Sequence, residues 1–392
     1  MDLDCGPGQS EMVDRAARLA REALAPRAAH YDQTASHPWE SWRDLWEHQL
    51  LAMAVPQEYG GLGLDMLTYC QVIEQLASGC TNTAMTVHMH STVMRFIDAL
   101  GEAQQKTLFY PDVVEHGKLF GSWGSEPESR GGATRRHTAI RPVAQGYVIN
   151  GVKHFCTMAG GAHRYMIHCS LEGAPPDAAL VLALAPHDQP GLTVTSDWNP
   201  LGMRATVSPS VVLENCVVPK EAVLGQPGQA TREGVGLSFG LGYAAVYIGA
   251  AQAALDFTKE FCQTHHFDPE PEVMASSLVI QRDVAEMAMA LEGARQVLYH
   301  SASQWPKGQP AKRAVLAARA KYLATQAALM VTSKAVACVG GRSVHKTYPL
   351  EQLFRDIRTC TLMPPNLDRS MEIIGKAELG MGDQLFSDER VG

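Results

Sequence analysis

The strongest constraint on this chain is a hydrophobic period that changes twice. From about residue 11 to 116 apolar residues recur at helical spacing, as in Val13, Ala16, Ala17, Ala20 and Leu24. Pro38-Trp39-Glu40 opens a second helix, and the loop Val55–Asp65, with its proline and glycines, feeds helices over 66–78 and 82–100. From about Phe120 the runs become short, apolar and β-branched: 146–155, 164–169, 179–184, 192–195 and 210–219, each bounded by turn residues. Past Gly234 the helical period returns, with long alanine-rich helices predicted over 236–263 and 311–339, the second stopped by Gly340-Gly341. The predicted class is a multidomain α+β protein: an N-terminal helical domain over 1–119, a β-barrel or sandwich over 120–230 and a helical bundle over 231–392.

Near the C-terminus a helix carrying Leu353, Ile357 and Thr361 is stopped by Pro364-Pro365. A new one starts at Asn366, whose side chain is suited to cap it. That corner aims a few side chains and one helix N-terminus into the space the other elements enclose.

Composition narrows the function. Lys and Arg number 33 against 41 Asp and Glu, a formal charge of −8, and no basic run exceeds a few residues, so nucleic acid is not an expected partner. The N-terminus has no signal-peptide pattern and no run of 18 uninterrupted apolar residues occurs, so a cytoplasmic protein without a membrane span is expected. The nine cysteines show no CxxC or Cys/His ligand spacing and are expected to be reduced core thiols. His88 and His90, two apart on one predicted helix, point in different directions and form no metal pair.

Several segments, in order, resemble the acyl-CoA dehydrogenase superfamily: Pro56-Gln-Glu-Tyr-Gly-Gly-Leu-Gly63, Ser125-Glu-Pro127, Tyr147–Phe155, Leu201-Gly-Met-Arg-Ala-Thr206, Gln281–Arg295, Gly340-Gly341 and Tyr348-Pro-Leu-Glu-Gln-Leu-Phe-Arg-Asp356. The resemblance implies a helical domain, a middle β-domain and a C-terminal four-helix bundle, bound FAD, and a homotetramer or homodimer. It places the Trp123 and Ser125 segment, Phe155 and Thr157 at the flavin ring, and Gly340, Gly341 and Asn366 along the rest of the cofactor. It also places Ser129 and Arg130 near an acyl- or aryl-CoA, where Arg130 could meet a phosphate or a carboxylate.

The departures from the family are as informative. Dehydrogenases of this kind remove an α-proton with a glutamate while hydride passes to flavin N5. One subgroup's glutamate position is matched by Pro364, and the other's by Phe239 followed by Gly240; neither side chain is a base. The stretch His266–Glu272 is acidic and proline-rich where relatives carry an arginine for the FAD pyrophosphate, and Ala337 replaces a usual glutamine. These changes point to an oxygenase on the same fold, with FAD, FMN or a diffusible reduced flavin and a flavin reductase or electron-transfer partner. His90 is then a candidate proton donor. A dehydrogenase with its base moved to Glu126, Asp368 or Glu372, and an inactive thioester-binding scaffold, are the alternatives.

Overall fold

A computed structural model describes residues 7–127, 136–266, 269, 271–306 and 309–385. The N-terminal part comprises α1 (Pro7–Leu19), α2 (Ala25–Thr34), α3 (Trp39–Glu47), α4 (Met66–Gly79), α5 (Thr81–Leu100) and α6 (Ala103–Val114). Local chemistry sets the starts. Asp65 accepts the Thr68 amide at 3.0 Å to cap α4, and Glu102 and Gln105 cap α6 reciprocally.

Eight strands follow: β1 (Phe120–Trp123), β2 (Ala139–Val143), β3 (Gly146–Lys153), β4 (Arg164–Leu171), β5 (Leu180–Pro186), β6 (Leu192–Val194), β7 (Val211–Val218) and β8 (Val223–Leu224). All belong to one sheet in the order β6-β7-β3-β2-β4-β5-β8, with β1 on β4. β1 and β2 pair with β4 in parallel, and the remaining pairs are antiparallel. Both flanks of β4 are covered, and six of its eight residues are buried, from Tyr165 to Ser170.

After a short α7 (Gln229–Arg232) the chain builds α8 (Phe239–Thr264), α9 (Leu278–Ser303), α10 (Pro310–Val339), α11 (Leu350–Cys360) and α12 (Leu367–Glu378). α8 is the axis, contacting α9, α10 and α11 of its own bundle and α4 and α5 of the N-terminal part. By length and composition α8 and α10 are apolar enough to cross a membrane, but 72% and 50% of their most apolar windows are buried inside the protein. Alanine and glycine make this approach possible. A Cβ on Gly242 would fall 2.0 Å from the His88 ring.

The predicted corner is present. Pro364-Pro365 is a cis peptide, and Asn366 accepts the Arg369 amide at 2.9 Å to start α12. The eight described cysteines are buried free thiols, and the described residues contain no cluster of three or more metal-ligating side chains.

A buried polar junction ties the three parts together. Asp356, wholly buried on α11, accepts from the Met203 amide and from Asn82 of α5 at 2.7 Å, while the Asn82 carbonyl accepts the Ala205 amide at 3.0 Å. One residue earlier, Arg355 makes a bidentate pair with buried Asp32 of α2 at 2.6 and 3.1 Å and is braced by Glu351. Gly202 lets the loop meet α11 face to face, since a Cβ there would lie 2.2 Å from the Arg355 carbonyl. Removing Asp356 strands two buried donors. The substitution Asp356→Ala is expected to cost about 3 kcal/mol of unfolding free energy, measured by urea titration.

Candidate functional site

Two loops of the β-domain carry an unusual concentration of backbone strain. Of seven described non-glycine residues with positive φ, four lie here: Phe155 (53°), Met158 (64°), Met203 (55°) and Val207 (37°). For β-branched Val207 that conformation is a true outlier. The loops hold each other through Cys156 N–H to the Pro209 carbonyl and Met158 N–H to the Thr206 carbonyl, both 3.0 Å, and the Asp356 junction clamps one of them from outside. Strain of this kind persists only where surrounding contacts enforce it, and it gathers at ligand sites.

The strain has a visible product. The Phe155 ring stands 70% exposed, a free aromatic face beside a buried row of hydroxyls. Ser208 donates to Thr157 Oγ1 at 3.2 Å and lies 2.9 Å from the Thr206 hydroxyl, which donates to the Met203 carbonyl. Ser125 joins the same edge, its carbonyl accepting the His154 amide at 3.0 Å.

Trp123 is different. Its ring is fully buried, stacked on Tyr165 at 3.8 Å between centroids, with Nε1 donating to the Thr157 carbonyl at 3.1 Å. That side chain belongs to the sheet core and offers no ligand face; only its main chain reaches the edge. Gly340 ends α10 with φ 75° and, like Gly341, is exposed, while Asn366 is occupied in capping α12. These three sit on the helical bundle. Ser129 and Arg130 lie outside the described residues, as does part of the acidic stretch 266–272.

Three of the four expected proton-transfer residues are committed elsewhere, and the fourth, Asp368, stands exposed in the first turn of α12. His90 is wholly buried. Its Nε2–H donates to the Leu51 carbonyl at 3.1 Å and its Nδ1 accepts the Phe120 amide at 3.0 Å, so it is a strut between α5 and β1 with no free nitrogen. Burial depresses its pKa to about 4. Glu126 pairs with Lys153 at 2.6 Å and accepts from the amides of His137 and Thr138; although burial opposes it, these partners hold the carboxyl below its ordinary value. Glu372 lies between Arg369 (2.6 Å) and Lys376 (2.9 Å), which bring its pKa down to about 2. Neither carboxylate is disposed to act as a base.

A second feature, absent from the sequence reading, is an aromatic cluster between α5, α8 and the sheet. Phe96 faces Phe239 at 6.2 Å and His168 at 5.9 Å between centroids, and His88 packs edge-on against Phe239 and Tyr243. His88 is neutral by its bonding: Tyr69 O–H donates to Nδ1 at 2.7 Å and Nε2–H donates to the Phe239 carbonyl at 3.2 Å. Burial lowers its pKa to about 3, and pushes that of His168 well down too. His168 lies under Gly124, with Nε2 3.3 Å from the Ser122 hydroxyl. A histidine in the middle of an apolar strand was the only signal for it.

Beneath the corner lies Lys321, 1% exposed, whose ammonium donates to the carbonyls of Met363 (2.6 Å) and Pro365 and lies within 6 Å of the Tyr243 and Tyr247 ring centroids. Ala317, Ala324 and Ala328 mark the same buried face of α10 at helical spacing, the pattern that could have revealed it. No carboxylate accompanies it in these contacts.

The comparisons with known proteins agree with this architecture. The chain matches "Acyl-CoA dehydrogenase, N-terminal domain" over 6–116, "middle domain" over 121–216 and "C-terminal domain" over 241–363. It belongs to the acyl-CoA dehydrogenase family. It is 29% identical to the mitochondrial short-chain specific acyl-CoA dehydrogenase of Rattus norvegicus over 90% of this chain and 85% of that protein. It is also 29% identical to dibenzothiophene monooxygenase of Rhodococcus erythropolis over 89% of each. Among solved structures, the complex of TdsC from Paenibacillus sp. A11-2 with FMN and indole superposes with a TM-score of 0.86 at 25% identity, covering 96% of this chain and all of that one.

Lys321 gives a pH signature for the corner. Burial lowers its pKa to about 8, against about 10.4 in an unfolded chain. The unfolded state therefore binds more protons between those values, so stability rises with pH across that window, by at most about 3 kcal/mol. The difference in urea-unfolding free energy between the native protein and Lys321→Met is expected to shift by up to that amount in favour of the native protein from pH 7.5 to 10, while the buried thiols, whose raised pKa values lower stability over the same range, act alike in both.

Proposed function

We propose that this protein is a flavin-dependent oxygenase on the acyl-CoA dehydrogenase fold, acting on an acyl- or aryl-thioester or a related small molecule. The carrying observation is that no buried carboxylate among the described residues is free to act as the α-proton base. Pro364 and Phe239 occupy the two positions where dehydrogenases place their glutamate, and all four buried carboxylates among the described residues are engaged. Asp32 holds Arg355, Glu74 holds Arg295 and Tyr299, Glu126 holds Lys153, and Asp356 holds the interdomain junction.

The residues present fit a flavin. The exposed Phe155 ring supplies a flat apolar face, and the Thr157–Ser208 hydroxyls with the Ser125 main chain supply polar groups at one edge. When bound, the flavin supplies two-electron redox chemistry and reaction with oxygen. The chain's own residues shape the space: Phe96, Phe239 and His88 exclude water, and neutral His88 fixes the turn of α8 that presents Phe239. His168 is the titratable group of the cluster with a ring nitrogen, Nδ1, left free of the bonding that occupies His88 and His90.

The relatives support both halves of the reading, since they include a dehydrogenase and a monooxygenase, and TdsC was solved with FMN. The acidic stretch 266–272, in place of a pyrophosphate-binding arginine, favours FMN or FAD taken up reduced from a separate flavin reductase over a tightly held FAD.

The test supplies reduced FMN or FAD through a reductase, with ¹⁸O₂ and a panel of aryl compounds and thioesters beginning with indole. Label from O₂ in a product is the expected result. Anaerobic bleaching of bound flavin by a short-chain acyl-CoA, with enoyl-CoA formed, would sink the oxygenase reading in favour of a dehydrogenase. Separately, Phe155→Ala is expected to weaken flavin binding about tenfold or more, about 1.4 kcal/mol, by fluorescence titration. Because that ring is largely exposed, unfolding free energy should shift by only about 0.5 kcal/mol.

A further inference from the structure

Two buried donors on one face of α5 make no well-formed hydrogen bond. Ser91 is wholly buried beside the Tyr69 hydroxyl, with which it makes no well-formed hydrogen bond; Arg95, one turn on, is partly buried, and its Nη2 is buried and unpaired. His88 lies a turn before Ser91 on the same face. That face looks at α4 and α8: the Arg95 guanidinium sits 4.4 Å over the Tyr69 ring centroid, Tyr69 bonds His88, and His88 packs on Phe239. The next residue, Phe96, reaches both Phe239 and His168. The unpaired donors thus adjoin the aromatic cluster.

No counter-ion explains the cation. Among the described residues no carboxylate comes within ion-pair distance of Arg95, and Glu74, a turn beyond Cys70 on α4, is taken by Arg295 at 2.8 Å and Tyr299 at 2.9 Å. A buried guanidinium edge and a buried hydroxyl without well-placed acceptors are costly to keep, where methionine and alanine would pack without that cost. A bound acceptor would resolve both at once.

We propose that Arg95 and Ser91 form an anion subsite that takes a carboxylate borne on the apolar part of a ligand at the aromatic cluster. The planar guanidinium fork matches a carboxylate's two oxygens, the serine adds one donor, and the aromatic rings accept an apolar tail. A phosphate dianion would call for more than a single cation. The assignment deepens the reading of the cluster as the substrate site and rests on it, but it is independent of whether oxygen or hydride chemistry follows.

Calorimetric titration at low ionic strength tests it without flavin or turnover, so that failure of the oxygenase reading leaves the result intact. The probes are hexanoate and phenylacetate, their primary amides, and inorganic phosphate. The wild-type protein is expected to bind each acid at least tenfold tighter than its amide. Arg95→Met should abolish that preference, and Ser91→Ala should reduce it about threefold. Arg95→Met should also keep or raise Tm, because it removes an unpaired cation; a purely structural contact with Tyr69 predicts a lower Tm and an unchanged preference. Equal binding of acid and amide by the wild type, retention of the preference in Arg95→Met, or phosphate binding as tight as the carboxylates would each overturn the proposal. The acid–amide comparison and Ser91→Ala decide the matter even if Arg95→Met does not fold.

Discussion

Arg355 and Asp356, adjacent on α11, are the point on which the three parts of the chain converge. Arg355 reaches back to Asp32 in the second helix, and Asp356 takes the Met203 amide of the β-domain loop and Asn82 at the start of α5. Such a junction, wholly buried at Asp356, is stable only with every donor and acceptor matched, so it specifies one mutual arrangement of the parts. The strained loop at 203–207 is held against that anchor. It acts together with the Met158–Thr206 and Cys156–Pro209 main-chain bonds to keep Val207 at positive φ and the partner loop that presents Phe155 in place.

The corner depends on a different balance. Pro364-Pro365 ends one helix by backbone chemistry alone, but its placement rests on a lysine brought fully inside the bundle to bond two of its carbonyls. Burial there weakens the proton affinity of the amine instead of recruiting a carboxylate. The corner is thereby held without a carboxylate paired to its lysine, and the rings of Phe96, Phe239 and His88 lie nearby without a buried carboxylate among them.

Part of the candidate site was singled out in the residues: Phe155 and Thr157 were named through the Tyr147–Phe155 segment, and they stand together at the strained edge. The Trp123 segment was assigned to the flavin edge through its main chain, and only the structure shows where the ring goes, because an aromatic in a short strand looks the same whether it turns to the core or outward; here it stacks on Tyr165. His90 and His88 were told apart only by their partners. Two positions on a helix give direction, but not what lies there.

The amino-acid sequence by itself determined the three-part order of helix, sheet and helix, the stop at Pro364-Pro365 and the restart at Asn366. These follow from period, ring constraint and side-chain chemistry, which are local. Only the tertiary structure decided which polar groups find partners. His90, Glu126 and Glu372 proved occupied, Lys321 proved buried, and Ser91 and Arg95 proved unpaired, because hydrogen-bond satisfaction depends on residues tens to hundreds of positions apart. The corner that in sequence was a broken helix is in the fold a cis-proline turn held from beneath by Lys321.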